Sequence, residues 1–172
     1  MAKRLSHLQV EAVYASPRER ARETAEPIAR RHLLPVRIEP SLDEVDFGAW
    51  MGMPLERLRD DPLWRRFNRD RTLTRIPGGE TMAEAAARMT RFFDRSIVDH
   101  PDERGAVALV GHGDPLRAAI AQTLGMPLDF MLRLEIAPAS LSILRLFENS
   151  VTVESLNDRS HLCGVTAGTA NP

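Results

Sequence analysis

Ala106-Val107-Ala108-Leu109-Val110-Gly111-His112-Gly113-Asp114-Pro115 is the stretch that decides the fold. Its opening residues, Ala106 to Val110, are an unbroken apolar run, the pattern of a strand buried on both faces of a parallel sheet. Gly111-His112-Gly113 reads as a turn. Asp114 and Pro115 then cap and open a helix that carries Leu116, Ala119, Ile120 and Leu124 inward until Gly125 ends it.

Upstream, the same unit occurs once before. Val10 to Ala15 mixes apolar and β-branched residues, and Ser16-Pro17-Arg18-Glu19 follows as a helix start with Ser16 as the cap. That helix keeps Ala21, Ala25, Ile28 and Ala29 on one face until Pro35 stops it, and Val36 to Ile38 forms a short strand. Thr81-Met82-Ala83-Glu84 is a capping box for a helix with Met82, Ala86, Met89, Phe93 and Ile97 at helical spacing, ending near His100-Pro101. Downstream, Leu141 to Phe147 and Val151 to Leu156, parted by Glu148-Asn149-Ser150, read as a closing hairpin. Residues 48–79 differ in kind. They hold both tryptophans and the arginines Arg57, Arg59, Arg65, Arg66, Arg69, Arg71 and Arg75, and read as a lid-like insertion whose cations either contribute to anion selection or form the solvated face of an amphipathic helix. The expected architecture is α/β, a three-layer sandwich with a mostly parallel sheet and helices on both faces, forming one domain over residues 1–158 with a polar tail over 159–172.

Composition narrows the function. With 172 residues, 43% hydrophobic and 27% charged, the chain falls outside the disordered and fibrous classes. Its net charge of -1 provides no basic field for nucleic acid or an acidic membrane, so partners are expected to be small molecules. Cys163 is the single cysteine, and no His and Cys spacing resembles a zinc site. No apolar run approaches the roughly 20 residues that span a bilayer. Met1-Ala2-Lys3-Arg4 leads into a polar stretch where a signal peptide needs an apolar core, and a cytoplasmic location is expected.

In open α/β sheets ligands bind beyond the carboxyl ends of the strands, which directs attention to the two strand-to-helix turns. Arg20 lies in a first helical turn, where the macrodipole disfavours a cation unless an anion binds there; a solvated surface arginine is the other reading. His112 sits between glycines that open the imidazole and the N–H groups at the helix start, including that of Gly113, to a ligand. Leu42-Asp43-Glu44-Val45-Asp46 places carboxylates before the lid, where partial burial would raise one pKa enough for it to donate a proton. Glu80 reads either as first-turn helix charge or as a site ligand.

Together, in chain order, Ala12-Val13-Tyr14-Ala15-Ser16-Pro17 with Arg20-Ala21-Arg22-Glu23-Thr24, Leu42-Asp43-Glu44 with Phe47-Gly48 and Trp50, Pro77-Gly78-Gly79-Glu80-Thr81, and Val110-Gly111-His112-Gly113 resemble the histidine phosphatase superfamily, the phosphoglycerate mutase-like family, over about Leu5 to Leu146. The resemblance implies a phosphomonoester hydrolase that needs neither metal nor cofactor. It acts on a small phosphorylated metabolite through a phosphohistidine. Arg20 and His112 would bind the phosphoryl group, Gly113 and Glu80 would contribute to substrate binding, and Glu44 would protonate the leaving oxygen.

The family's Arg-His-Gly motif, which supplies the phosphoryl-accepting histidine, is absent. His7, His32, His100 and His161 are read as following no strand. Met1 to Leu8 resembles the end of the family's first helix, so the first central strand and part of the first helix are expected to be missing. The sheet is then expected to break beside Ala106 to Val110, or to pair that strand directly with Leu141 to Phe147, and the chain by itself is expected to be inactive. The alternatives are a non-catalytic phosphate-ligand or protein-binding relative and a phosphoglycerate mutase, the latter disfavoured by the short lid.

Overall fold

The computed structural model describes residues 1–102, 104–147 and 150–162. Three strands, β1 (Val10–Ala15), β2 (Val36–Ile38) and β3 (Ala106–Val110), pair in parallel in the order β2-β1-β3. Val13 lies opposite Val36 on one side and Ala108 on the other. Their bounds are those of the apolar runs. Alternate residues of the strands face opposite layers. Val13, Ala15, Ala108 and Val110 pack with Ala25, Ile28 and Ala29 of α2 (Glu19–His32), while Tyr14 and Leu109 pack with Met89, Phe92 and Phe93 of α5 (Met82–Asp99) and Leu116 and Ala119 of α6 (Gly113–Thr123). Helices therefore cover both faces, as the α/β sandwich requires.

β4 (Leu141–Phe147) and β5 (Ser150–Asp158) form a separate antiparallel pair, with β5 longer than Val151 to Leu156. Leu141 packs in the layer of α2 and Leu146 in that of α5, so β4 shares both layers with β3 without being hydrogen-bonded to it. Among the described residues the outer edge of β3 has no strand partner, which is the break expected beside Ala106 to Val110. Both faces of this strand are covered by helices as expected, yet all of its residues are only half-buried, since among the described residues it has a strand neighbour on one side alone.

Two helix starts also differ from the sequence reading. The cap of α2 is Arg18, not Ser16; the Ser16 hydroxyl accepts from the Arg18 amide at 3.2 Å, and its side chain is buried. The cap of α6 is His112, and Asp114 lies inside the first turn. Gly125 follows the helix end in the left-handed region at φ 68°, as expected, but Leu124 is exposed. Thr81 and Glu84 form the capping box of α5.

The insertion is more firmly seated than a lid-like excursion suggests. Its helices α3 (Leu55–Asp60) and α4 (Pro62–Arg69) bury Leu58 and Phe67, which join Trp50 and Ile76 against Met82, Ala85 and Ala86 of α5 and Ala118 and Ala121 of α6. The Trp50 ring meets Trp64 and Phe67 edge-on at 5.2 and 5.5 Å. Gly48 and Gly79 lock its root: Gly48 sits at φ 45°, and a side chain at either residue would overlap the backbone of the other strand of the loop. The expected hairpin turn at Glu148-Asn149 and most of the tail, including Cys163, lie outside the described residues; Ser160–Leu162 form one short 3-10 turn. Among the described residues no helix is long and apolar enough to cross a membrane.

Candidate functional site

The pairing of β1 with β3 places Ala15 opposite Val110, and the Ser16 amide continues the ladder by donating to the Val110 carbonyl at 2.9 Å. The two strand-to-helix turns therefore meet at the carboxyl end of the sheet. His112, 6% exposed, lies with Nε2 2.8 Å from the Ser16 hydroxyl and Nδ1 2.9 Å from Nη2 of Arg20. A guanidinium can only donate. Nδ1 is therefore the acceptor, which assigns the ring proton to Nε2 and its bond to Ser16. The Ser16 hydroxyl passes the chain on to Asp43 Oδ1 at 3.2 Å. That oxygen also accepts from Arg18 Nε and the Glu44 amide, both at 2.7 Å.

Glu44 completes the cluster. Its Oε2 is 3.2 Å from the same Arg20 Nη2 and 3.6 Å from His112 Nδ1, while Oε1 accepts from the Val45 amide at 3.0 Å. Arg20, Glu44 and His112, expected to share a site, are brought together.

The electrostatics separate two adjacent carboxylates. Burial raises the Glu44 pKa above the ordinary carboxylate value; the Val45 amide works against this, and the charge of Asp114 reinforces it. Burial also acts to raise Asp43, but its bonds from Arg18, the Glu44 amide and Ser16 prevail and hold it below the ordinary value. His112 is pushed down to about 4, first by burial and then by the positive charge of Arg20. The site thus pairs an imidazole pushed down to about 4 with two adjacent carboxyls shifted in opposite directions, Asp43 down and Glu44 up. Neighbouring titratable groups with pKa values pushed apart are the arrangement from which acid and base roles are assigned.

Several expected details change. Both carboxylate oxygens of Glu80 are engaged by Arg88, at 2.9 and 3.2 Å, and Oε1 also accepts from the Asp46 amide at 3.0 Å. Glu80 is a brace for the acidic loop rather than a group facing the turn. Arg88, which the sequence reading missed, also donates to the carbonyls of Ser41 at 2.6 Å and Glu44 at 3.1 Å, fixing the backbone that carries Glu44. A cation on the inner side of an amphipathic helix was its only sequence signal.

At the start of α6, the N–H groups of Gly113 and Asp114 have no protein acceptor among the described residues. A side chain at Gly113 would make only ordinary contacts, whereas at Gly111 it would come 3.3 Å from the Leu42 carbonyl oxygen; the close packing is therefore at Gly111. Ser16 was also missed as a site residue, because its helix-cap signature concealed its contact with His112, 96 positions away.

The remaining histidines are elsewhere. His7, His32 and His100 precede β1, β2 and β3, and so lie toward the amino end of the parallel strands; His100 bonds the Tyr14 hydroxyl at 3.1 Å. His161 follows β5, whose end is tied to α1 (Ala2–Leu5) by Arg4 and Asp158 at 3.2 Å. Among the described residues the site has one histidine.

The bifunctional protein Rv2228c of Mycobacterium tuberculosis is 34% identical over 156 residues, spanning 89% of this chain and 42% of that protein. The chain thus spans less than half the length of this curated relative. Phosphoserine phosphatase 1 of Hydrogenobacter thermophilus is 29% identical over 164 residues, 94% of this chain and 77% of that protein. Among solved structures, the mycobacterial glucosyl-3-phosphoglycerate phosphatase Rv2419c in complex with inorganic phosphate superposes with a TM-score of 0.80 at 27% identity, covering 91% of this chain and 81% of that one. Its complex with VO3 gives a TM-score of 0.78 at 28% identity, covering 91% and 80%. The family description, histidine phosphatase superfamily (branch 1), matches residues 1–159. With that match over the fold and the turns that carry Arg20 and His112, the chain belongs to the histidine phosphatase superfamily.

Proposed function

We propose that this chain carries the phosphoryl-binding and acid-base groups of a phosphomonoester hydrolase acting on a small phosphorylated metabolite in the cytoplasm. The observation that carries the reading is the convergence of Arg20, His112 and Glu44, whose pKa is raised by burial, on one point beside the open amides of Gly113 and Asp114. Arg20 and the helix amides would take the phosphoryl oxygens. An anion there offsets the unfavourable placement of Arg20 at a helix start, and preorganised donors stabilise charge in the transition state.

The chemistry divides into two steps. In the first, the phosphorus leaves the ester oxygen for a histidine nitrogen, and Glu44 gives its proton to the departing alkoxide. In the second, Glu44 takes a proton from water as the water oxygen attacks phosphorus and the P–N bond breaks. In the resting tautomer both ring nitrogens of His112 are engaged, Nδ1 by Arg20 and Nε2 by Ser16, and it would donate to a phosphoryl oxygen only on taking up a second proton, so the accepting histidine is not among the described residues of the site. The chain by itself binds inorganic phosphate and does not turn over.

Incubating the purified chain with a chromogenic phosphate ester at mildly acidic and neutral pH, alongside a phosphate titration, tests both halves. Saturable phosphate binding without turnover is expected. A rate that persists through purification and disappears in Arg20→Ala places a nucleophile within the chain and overturns the second half. That the site has one histidine among the described residues also favours one second reading, a non-catalytic phosphate-binding relative. That reading requires phosphate binding to persist with no turnover even when a histidine-bearing strand of a relative is supplied.

A further inference from the structure

Of the seven lid arginines, Arg71 alone is buried. Its guanidinium lies 4.8 Å from the centroid of Phe67, with Nη2 donating to Asn68 Oδ1 at 2.7 Å and Nη1 to Asp114 Oδ2 at 3.3 Å. Its Nε is buried with no hydrogen-bond partner. An aliphatic side chain would fill this place against Phe67 without that unsatisfied donor, and replacing a buried ion pair with well-packed apolar groups is often neutral or stabilising. Packing alone does not account for an arginine here.

Its consequence falls on Asp114. This carboxylate stands in the first turn of α6, directly after Gly113, with its charge felt at Glu44. A carboxylate at a helix start suits the helix but opposes an incoming anion that uses the same amides. Both of its oxygens are occupied by cations: Oδ2 by Arg71 and Oδ1 by Arg117 Nη1 at 2.8 Å. Arg117 belongs to α6 itself and is anchored on the carbonyls of Leu134 and Ile136 at 3.1 and 3.2 Å. Arg71 is the clamp that arrives from the lid.

We propose that Arg71 is a positioning residue for oxyanion binding: by neutralising and holding Asp114 it keeps the start of α6 receptive to a phosphoryl group, so that seating of the lid and anion affinity are coupled. This rests on the phosphate site described above. The lid's contribution to anion selection then acts through one buried residue rather than through its exposed arginines.

Calorimetric titration with inorganic phosphate, using the full chain and the variants R71M, R71K, D114N and R71M/D114N, tests it. R71M is expected to weaken binding about tenfold and R71K to recover most of that, in keeping with the scale of charge-assisted contacts. D114N is expected to bind at least as tightly as the wild type. In the D114N background R71M is expected to cost less than about threefold, because the charge it controls is gone. An equal loss in both backgrounds means that Arg71 acts by packing alone and overturns the proposal, as does an unchanged affinity in R71M. If R71M does not fold, D114N still decides: weaker binding by a folded D114N overturns the proposal. Absence of saturable binding to the wild-type chain overturns the site reading itself, and this inference with it.

Discussion

Substituting His112 by Asn is expected to change how the stability of the fold depends on pH. In the folded chain the imidazole is pushed from an ordinary 6.5 down to about 4, by burial and by the charge of Arg20. Between those values the unfolded chain holds a proton that the folded chain does not, so unfolding takes up a proton and stability falls as pH falls. The contribution is complete above about pH 6.5. Proton linkage gives a loss of about 2 kcal/mol by about pH 5, approaching about 3 kcal/mol by about pH 4. Its side chain is only 4% exposed, so solvent screening takes little from this figure. Glu44, whose raised pKa favours the folded state on acidification, works in the opposite sense, and Asp43, held low, works in the same sense as His112 at lower pH. The difference between wild type and His112→Asn isolates the imidazole from both. Urea unfolding followed by circular dichroism at near pH 7 and about pH 5 measures it. The wild type should lose about 2 kcal/mol more than the variant between the two conditions. Parallel losses, or a wild type that gains on acidification relative to the variant, would refute the neutral imidazole.

Other expectations follow from the same geometry. Arg20→Ala should weaken phosphate binding by on the order of tenfold or more, read by calorimetry, because a charge-assisted contact is lost while the exposed side chain contributes little to the fold. Gly79→Ala should destabilise the chain by several kcal/mol, roughly the size of a severe backbone conflict, since its Cβ would overlap the Asp46 carbonyl oxygen at the lid root; an unchanged melting temperature refutes this. Charge reversal at the exposed Arg57, Arg59, Arg65, Arg66 and Arg69 should leave phosphate affinity within about twofold, as screened surface charges do; a large loss would return anion selection to the lid surface. The apolar edge of β3, which has no strand partner among the described residues, should promote concentration-dependent association, visible by light scattering, and a strictly monomeric chain at high concentration would count against an open edge.

Local patterns in the sequence were enough for the strands Val10–Ala15, Val36–Ile38, Ala106–Val110 and Leu141–Phe147, the Thr81 capping box and the layering of helices on both faces, because apolar runs and caps act through neighbours in the chain. Local pattern left Arg20, His112 and the acidic loop with a structural and a functional reading each, and it was the order of motifs, through the family resemblance, that singled out Arg20, Glu44 and His112, which the fold brings together. What local pattern does not contain is the partner of a polar side chain. The Ser16 hydroxyl, which looked like a helix cap, is committed to His112 and Asp43; Glu80, which looked like a ligand, is committed to Arg88; and Asp114, which looked like a cap, is held by Arg71 from the lid. Apart from the Glu80–Arg88 pair, eight positions apart, these bonds join residues far apart in sequence, so they exist only after the sheet brings the two turns together and the lid packs on α5 and α6. The same holds for the pKa values: Asp43 and Glu44 are adjacent carboxylates in the sequence, and only in the folded chain do burial and the charge of Asp114 raise Glu44 while bonds from Arg18, the Glu44 amide and Ser16 lower Asp43.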